Sequence, residues 1–166
     1  MKSNTMKTLE IKQLNKSHAP DIWTINEEGL PWVGKVSQDE IEQLLDFSSV
    51  TLGGFDNNHL QGFVMCLPPK TAYSSVNYEW FNQRYNSFLY VDRIAIASTH
   101  RGKGIGAALY KRVIELASDK HAPILAEVMK VPLNENSMRF HSGFDFAEVG
   151  TLIHPTYTVS MLVRQP

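Results

Sequence analysis

Tyr90-Val91-Asp92-Arg93-Ile94-Ala95-Ile96-Ala97, then Ser98-Thr99-His100, then Arg101-Gly102-Lys103-Gly104-Ile105-Gly106-Ala107-Ala108-Leu109: this stretch decides the fold. Its first eight residues are largely apolar and β-branched, without Gly or Pro, and read as a strand. Its end opens a helix, with Ile105, Ala108, Leu109, Val113, Leu116 and Ala117 at steps of three and four. Between them lies a basic, glycine-rich turn. Glycine there admits positive φ and lets a ligand approach bare N–H groups. The helix start adds unpaired donors and partial positive charge, and Arg101 and Lys103 add full charges. Strand, turn and helix N-terminus together read as a phosphate-binding device.

Three kinds of phosphate site compete. A Walker loop needs Gly-Lys-Ser/Thr, and Lys103 is followed by Gly104, which excludes it. A dinucleotide fingerprint is formally present as Gly102-x-Gly104-x-x-Ala107 with Glu127 beyond it. Such a unit usually opens a doubly wound domain, and too little chain follows for one. Arg101-x-x-Gly104-x-Gly106 after an apolar strand resembles motif A of the GCN5-related N-acetyltransferase (GNAT) superfamily. A cation at a helix start opposes the helix dipole, and a bound anion would offset that cost, which assigns Arg101 and Lys103 to phosphate.

The bounds agree. The chain has 166 residues, 43% hydrophobic and 20% charged, which suits one compact domain rather than a disordered chain; its element order makes that domain α+β. Net charge is −1, so no basic surface argues for nucleic acid or an anionic membrane. No apolar run approaches the length of a membrane span. Residues 1–6 lack the apolar core of a signal peptide and read as a short disordered lead-in to a single domain over 7–166, in a cytoplasmic protein. The single cysteine, Cys66, lies in an apolar strand and reads as a core residue.

In chain order, Leu9 and Ile11 alternate with polar residues as a first strand. Ser17 opens a helix with Pro20 in its first turn. Ser37-x-x-Glu40 is a capping box ahead of Ile41, Leu44 and Leu45. Two strands, 50–55 and 60–67, flank the polar turn 56–59 as a hairpin. An aromatic insert follows, with a short helix expected over 77–84. Strands over 124–129, 147–150 and 157–163 and a helix over 134–141 complete the chain. The order β-α-α-β-β-(insert)-β-α-β-α-β-β predicts a mixed central sheet of about seven strands flanked by helices. It is also the element order of the GNAT superfamily.

A second motif extends the resemblance. Asn134-x-x-Ser137-x-x-Phe140-His141, followed by Asp145-Phe146, is similar to the family's motif B, except that Asp145 stands where Gly is usual. Asp tolerates the left-handed conformation that such a turn needs, and Gly143 offers a second place for the bend. The resemblance implies a three-layer fold whose sheet is splayed near the fourth strand, with a bulge near Ile94. It implies acetyl-coenzyme A as cosubstrate and an amine of a small molecule or peptide as acceptor, acylated directly in a ternary complex. It places the cofactor on Ile94, Ala95 and Ile96, on Arg101, Gly102, Lys103, Gly104, Ile105 and Gly106, and on Asn134, Ser137, Phe140 and His141. No metal ligand is among them. His141 stands where the family's proton donor to the leaving thiolate is commonly a Tyr, with Tyr157 as an alternative. Asp92 and Glu127 are candidate bases, and Tyr90 falls where some members carry a catalytic Glu. An ion pair with Arg93 is the competing role for Asp92. Trp32, Tyr78, Glu79, Trp80 and Arg84 are candidate acceptor contacts, each with core packing as the alternative. Glu79 suits an amine and Arg84 a carboxylate, a pairing fit for a peptide end. Two copies pairing through the C-terminal strands, as a homodimer, is the arrangement relatives suggest. A non-catalytic acyl-CoA sensor and a nucleotide-binding module remain the rival functions.

Overall fold

The computed structural model describes residues 8–166; the lead-in expected over 1–6 lies outside them. The fold is α+β, with a mixed seven-stranded sheet in the order β1-β2-β3-β4-β5-β7-β6, flanked by helices. The strands are β1 Leu9–Gln13, β2 Val50–Asp56, β3 His59–Leu67, β4 Leu89–Ile96, β5 Ile124–Val131, β6 Ala147–Ile153 and β7 Thr158–Arg164. The helices are α1 Ala19–Glu28, α2 Gln38–Phe47, α3 Val76–Asn82, α4 Ile105–Asp119 and α5 Glu135–Gly143. The element order read from the sequence is the observed one. The chain forms two compact units, each made of separated segments: one of the residues up to Cys66 with Arg93–Glu115, the other of Leu67–Asp92 with Leu116–Pro166.

In the first unit, β1 and β3 flank β2 in antiparallel register. The hairpin turns at Asn57 and Asn58, with φ of 50° and 64°, a conformation Asn tolerates better than most residues. The capping box forms in both directions: Ser37 Oγ accepts from Glu40 N at 3.1 Å, and Glu40 Oε1 accepts from Ser37 N at 3.3 Å. The first helix starts differently from the sequence reading. Asn15, not Ser17, caps a 3-10 turn over Lys16–His18, and α1 proper begins at Ala19. The Asn15 carboxamide, which accepts from Ser17 N at 2.9 Å, holds the earlier turn.

The start of α4 packs on the hairpin because two glycines leave room for Ile105. A Cβ on Gly54 would lie 2.8 Å from Ile105 Cγ2, and one on Gly62 would lie 2.9 Å from the same atom. Ile105 is 1% exposed. Along α4, Leu109, Val113 and Ala117 follow it into the core at helical spacing. The second half of β4 lies beside β3, where Ala97 N donates to Gln61 O at 2.8 Å.

In the second unit, the first half of β4 pairs in parallel with β5 through Leu89↔Ile124, Tyr90↔Leu125 and Val91↔Ala126. That ladder ends at Val91, although β4 itself runs on to Ile96. The splay expected near the fourth strand therefore begins just after Val91. β7 pairs antiparallel with β5 on one side and β6 on the other. The turn after α5 puts its left-handed residue at Asp145, with φ of 66°, while Gly143 is the last residue of the helix. The strain that motif B usually places on Gly is carried here by Asp.

Gly54→Ala should cost about 1–3 kcal/mol by overpacking Ile105. Adding Ile105→Leu, which removes the branched methyl and keeps the volume, should recover more than half of the loss. A double-mutant cycle by urea unfolding measures the coupling.

Candidate functional site

The candidate residues fall into one group in each unit. In the first unit, β4 runs into a 3-10 turn over Ser98–His100 and then into the glycine turn. Gly102 and Gly104 have φ of +74° and +86°. A Cβ on either would meet nothing within 4 Å. Glycine is therefore needed for the backbone conformation and not for want of space, and the turn's surface is open. The first intrahelical bond of α4 runs from Ala108 N to Gly104 O at 3.0 Å. The N–H groups of Ile105, Gly106 and Ala107 precede it and have no acceptor one helical turn back. Together with the helix dipole they form a donor set suited to an anion.

Arg101 is exposed, yet its guanidinium is engaged. Nε donates to Ile96 O at 3.3 Å, and one terminal nitrogen donates to Glu28 O at 2.8 Å. The second bond sits at the C-terminus of α1, where a cation is favoured. The Glu28 carboxylate accepts from Ser98 N at 3.0 Å. Glu28 thus clasps both sides of the turn, a role that sequence reading missed because nothing local links positions seventy residues apart. Lys103 is exposed at the turn. His100 braces the turn from below, with Nε2 at 3.1 Å from Asp56 Oδ2. Hydrogen bonds from the Thr8 hydroxyl and the His100 ring, and then the charges of His100 and Lys103, hold the Asp56 carboxyl below its usual range against an opposing desolvation.

Ile94 and Ile96 are half-buried and alternate with buried Arg93 and Ala95. Arg93, on the opposite face from Asp92, donates to Asn26 Oδ1 at 3.0 Å and to Gly34 O at 3.1 Å. It ties the loop after α1 to β4. Trp32, on that loop, is 46% exposed.

In the second unit, the Tyr90 hydroxyl donates to the Glu127 carboxylate, at 2.7 Å to Oε1 and 2.8 Å to Oε2. Tyr90 is fully buried, and desolvation first, then the charges of Glu127 and Asp92, push its phenol well above the usual range. It stays a neutral donor. A carboxylate thus reaches the Tyr90 side chain from the neighbouring strand, although β4 itself carries none at that position. Asp92 lies two residues on along the same face. The Tyr90–Glu127 pair was not legible in sequence, because register between β4 and β5 is set only by the fold.

His141 is 3% exposed, near the end of α5. Its Nδ1 lies 2.8 Å from Ser137 O, the carbonyl one turn back, which fixes the proton on that nitrogen. Burial lowers its pKa, opposed by the Ser137 carbonyl. The ring also meets Phe140 and Phe146 edge-on at 5.5 and 5.0 Å. It is a packed, neutral side chain. Asn134 caps α5, its Oδ1 accepting from Ser137 N at 3.2 Å. Tyr157 stacks on His154 with ring centroids 4.3 Å apart.

The insert residues divide. Tyr78 is 1% exposed. Its hydroxyl donates to Pro68 O at 2.5 Å and accepts from Thr71 N at 2.9 Å. It pins the start of the insert, so packing describes Tyr78 better than acceptor contact. Arg84 lies over the Trp80 ring at 3.7 Å and donates to Trp80 O at 2.9 Å, which commits its charge locally. Trp80 in turn sits on Gly150, where a Cβ would come within 2.6 Å of the ring. Glu79 is exposed.

The sequence profile of the acetyltransferase (GNAT) family matches residues 14–146. The chain belongs to that family. No curated protein sequence matches it. Solved structures share its fold at low identity. Ard1 from Thermoplasma volcanium superposes with a TM-score of 0.78 at 14% identity, covering 95% of this chain and 97% of the other. NAA60 from Arabidopsis thaliana, in complex with a bisubstrate analogue, gives 0.75 at 17%, covering 95% and 98%. The ribosomal-protein-alanine N-acetyltransferase from Brucella melitensis gives 0.70 at 20%, covering 95% and 99%. Among the described residues, no helix of this GNAT chain is long and apolar enough to cross a membrane.

Two outcomes follow for this GNAT chain. A depressed carboxyl contributes stability that is complete above the unfolded carboxylate pKa and lost as pH falls through the folded value. Wild type should therefore exceed Asp56→Asn in urea midpoint at pH 6, and the gap should close as pH is taken below about 4. Tyr90→Phe removes the donor to Glu127 and should cost about 1.5–3 kcal/mol in the same assay.

Proposed function

We propose that this chain transfers an acetyl group from acetyl-CoA directly to a primary amine at the end of a peptide. The observation that carries the reading is the glycine turn at the start of α4, with positive φ at Gly102 and Gly104 and open space above both. That surface, with the first amides of α4 and Lys103 beside it, fits a pyrophosphate. Backbone groups of Ile94, Ala95 and Ile96 are assigned to the pantetheine arm by the family resemblance. Bound acetyl-CoA supplies an activated thioester.

The chain's own part is proton handling and positioning. An amine attacks only when neutral, so a base must take its proton. We assign that role to Glu127, with Asp92 as the neighbouring carboxylate; as the C–N bond forms and the thioester C–S bond breaks, the proton taken from the amine balances the departing coenzyme A thiolate. Tyr90, held neutral, orients the Glu127 carboxylate through its paired hydrogen bonds. The lowered pKa of His141 leaves it without a proton to spare at neutral pH, which favours a positioning role in α5 over the acid role. Direct transfer is supported by the chain's single cysteine, Cys66, which is fully buried in β3 and cannot serve as an acyl carrier. The peptide acceptor is supported by the company the fold keeps: NAA60 was captured with a bisubstrate analogue, and the Brucella protein is named for a ribosomal-protein alanine.

Thermal-shift titrations with acetyl-CoA, coenzyme A, NAD and ATP test the cosubstrate. Acetyl-CoA at a hundredfold excess over its Kd should add about 2.7 kcal/mol of apparent stability. Gly104→Val, which forces a β-branched residue to positive φ, should lose that shift. A shift with NAD and none with either form of coenzyme A would overturn the reading. Binding of acetyl-CoA without coenzyme A release on any amine would replace the enzyme by an acyl-CoA sensor.

A further inference from the structure

Four polar side chains meet beside the glycine turn of the first unit. His100 ends the 3-10 turn that leads into it, and its ring spans two partners. Nε2 lies 3.1 Å from Asp56 Oδ2, at the end of β2, and Nδ1 lies 2.8 Å from Thr99 Oγ1. The other carboxylate oxygen of Asp56 accepts from the hydroxyl of Thr8. The side chains of His100 and Asp56 are 16% and 23% exposed, so the pair is mostly shielded and still within reach of solvent protons.

The partners settle what each nitrogen does. A carboxylate only accepts, so Nε2 carries a hydrogen and donates to Asp56. Nδ1 faces a hydroxyl, which can donate or accept. In the neutral ring Nδ1 accepts from Thr99; in the cation it donates to the same oxygen, and only the hydroxyl hydrogen turns. His100 can therefore take up a proton in place, with both contacts kept, and its bond to Asp56 then becomes charge-assisted. The charged and titratable groups around it pull both ways. Asp56 on β2 favours the proton and stays ionised near neutrality, its carboxyl being held low. Lys103 in the turn, whose charge reaches Asp56, opposes it. His59, paired with Asp56 across the hairpin, is a second titrating ring, and Arg101 is turned to Ile96 O and Glu28 O.

Arg101 and Gly102 follow His100 directly, so the pair ties the end of β2 to the entry of the glycine turn. A proton on His100 strengthens that tie and adds positive charge two residues before Gly102. Both effects favour an anion at the turn. We propose that His100 and Asp56 form a proton-operated brace, which raises the affinity of the glycine turn for the cosubstrate's pyrophosphate as pH falls through the range where histidines titrate, about pH 5 to 8. The proposal rests on the acetyl-CoA reading and adds a regulation of that same site. Coupling is reciprocal, so the ligand must also draw protons onto His100 at fixed pH.

Calorimetric titration with 3′-dephospho-coenzyme A tests it. This probe keeps the pyrophosphate and lacks the 3′-phosphate, a phosphomonoester that titrates near neutrality on its own. Wild type should bind about threefold or more tightly at pH 6 than at pH 8, and buffers of different ionisation enthalpy should reveal uptake of about a quarter of a proton per site at pH 7. His100→Gln, which keeps an N–H for Asp56 and takes no charge, should lose both effects. In wild type, without any substitution, the ring resonances of His100 should move toward the protonated form when the probe is added at pH 7. The same pH dependence and uptake in wild type and His100→Gln, or ring resonances that stay still on binding, would overturn the brace and leave the cosubstrate reading standing. No binding of the probe or of acetyl-CoA to wild type at any pH would overturn both.

Discussion

The contact between Ile105 and the glycines of the β2–β3 hairpin is the constraint on which the glycine turn depends. A helix N-terminus binds an anion only if its first amides are held still and face outward. Here the first helical residue is driven into the sheet because Gly54 and Gly62 present no side chain. The burial of Ile105 fixes where α4 starts, and so fixes the amides that precede its first internal hydrogen bond. Gly102 and Gly104 then take the left-handed backbone that joins this buried anchor to the end of β4. A larger residue at either hairpin glycine would push on the anchor and, through it, on the turn.

The polar contacts around the turn act in the same direction. Arg101 and Ser98 both donate to Glu28, which ties the turn to the end of α1, and His100 and Asp56 brace it against β2. These groups spend their hydrogen bonds on holding the backbone. The open surface of the turn is consequently left to amides and Lys103, with the guanidinium of Arg101 serving largely as a strut. A preorganised donor set of this kind loses little on reorganisation when a ligand arrives.

β4 is the strand that both units share. Its first half is paired with β5 and carries Tyr90 into contact with Glu127, while its second half leads to the glycine turn. The paired hydrogen bonds of Tyr90 provide a carboxylate held in one orientation beside a donor that stays protonated. Two acids on neighbouring strands, one buried phenol and an adjoining aromatic insert are the ingredients that the acetyltransferase reading needs in the second unit.

Local signals determined much of this protein. Hydrophobic periodicity placed most of the strands and helices in order, because a period of two or of 3.6 is written in consecutive residues. The Ser37–Glu40 capping box, the hairpin around Asn57 and Asn58, the left-handed Asp145 and the glycine turn before α4 were legible for the same reason: each is closed within a few residues. The start of α1 was misplaced by two residues because Asn15 competed with Ser17 as the cap. What the tertiary structure alone decided are pairings between distant positions: Tyr90 with Glu127, Arg101 with Glu28, Arg93 with Asn26, and Ile105 with Gly54 and Gly62. Burial was decided there too. It turned Tyr78 into a core pin and His141 into a neutral packed ring, since desolvation depends on everything that surrounds a side chain and not on its neighbours in sequence.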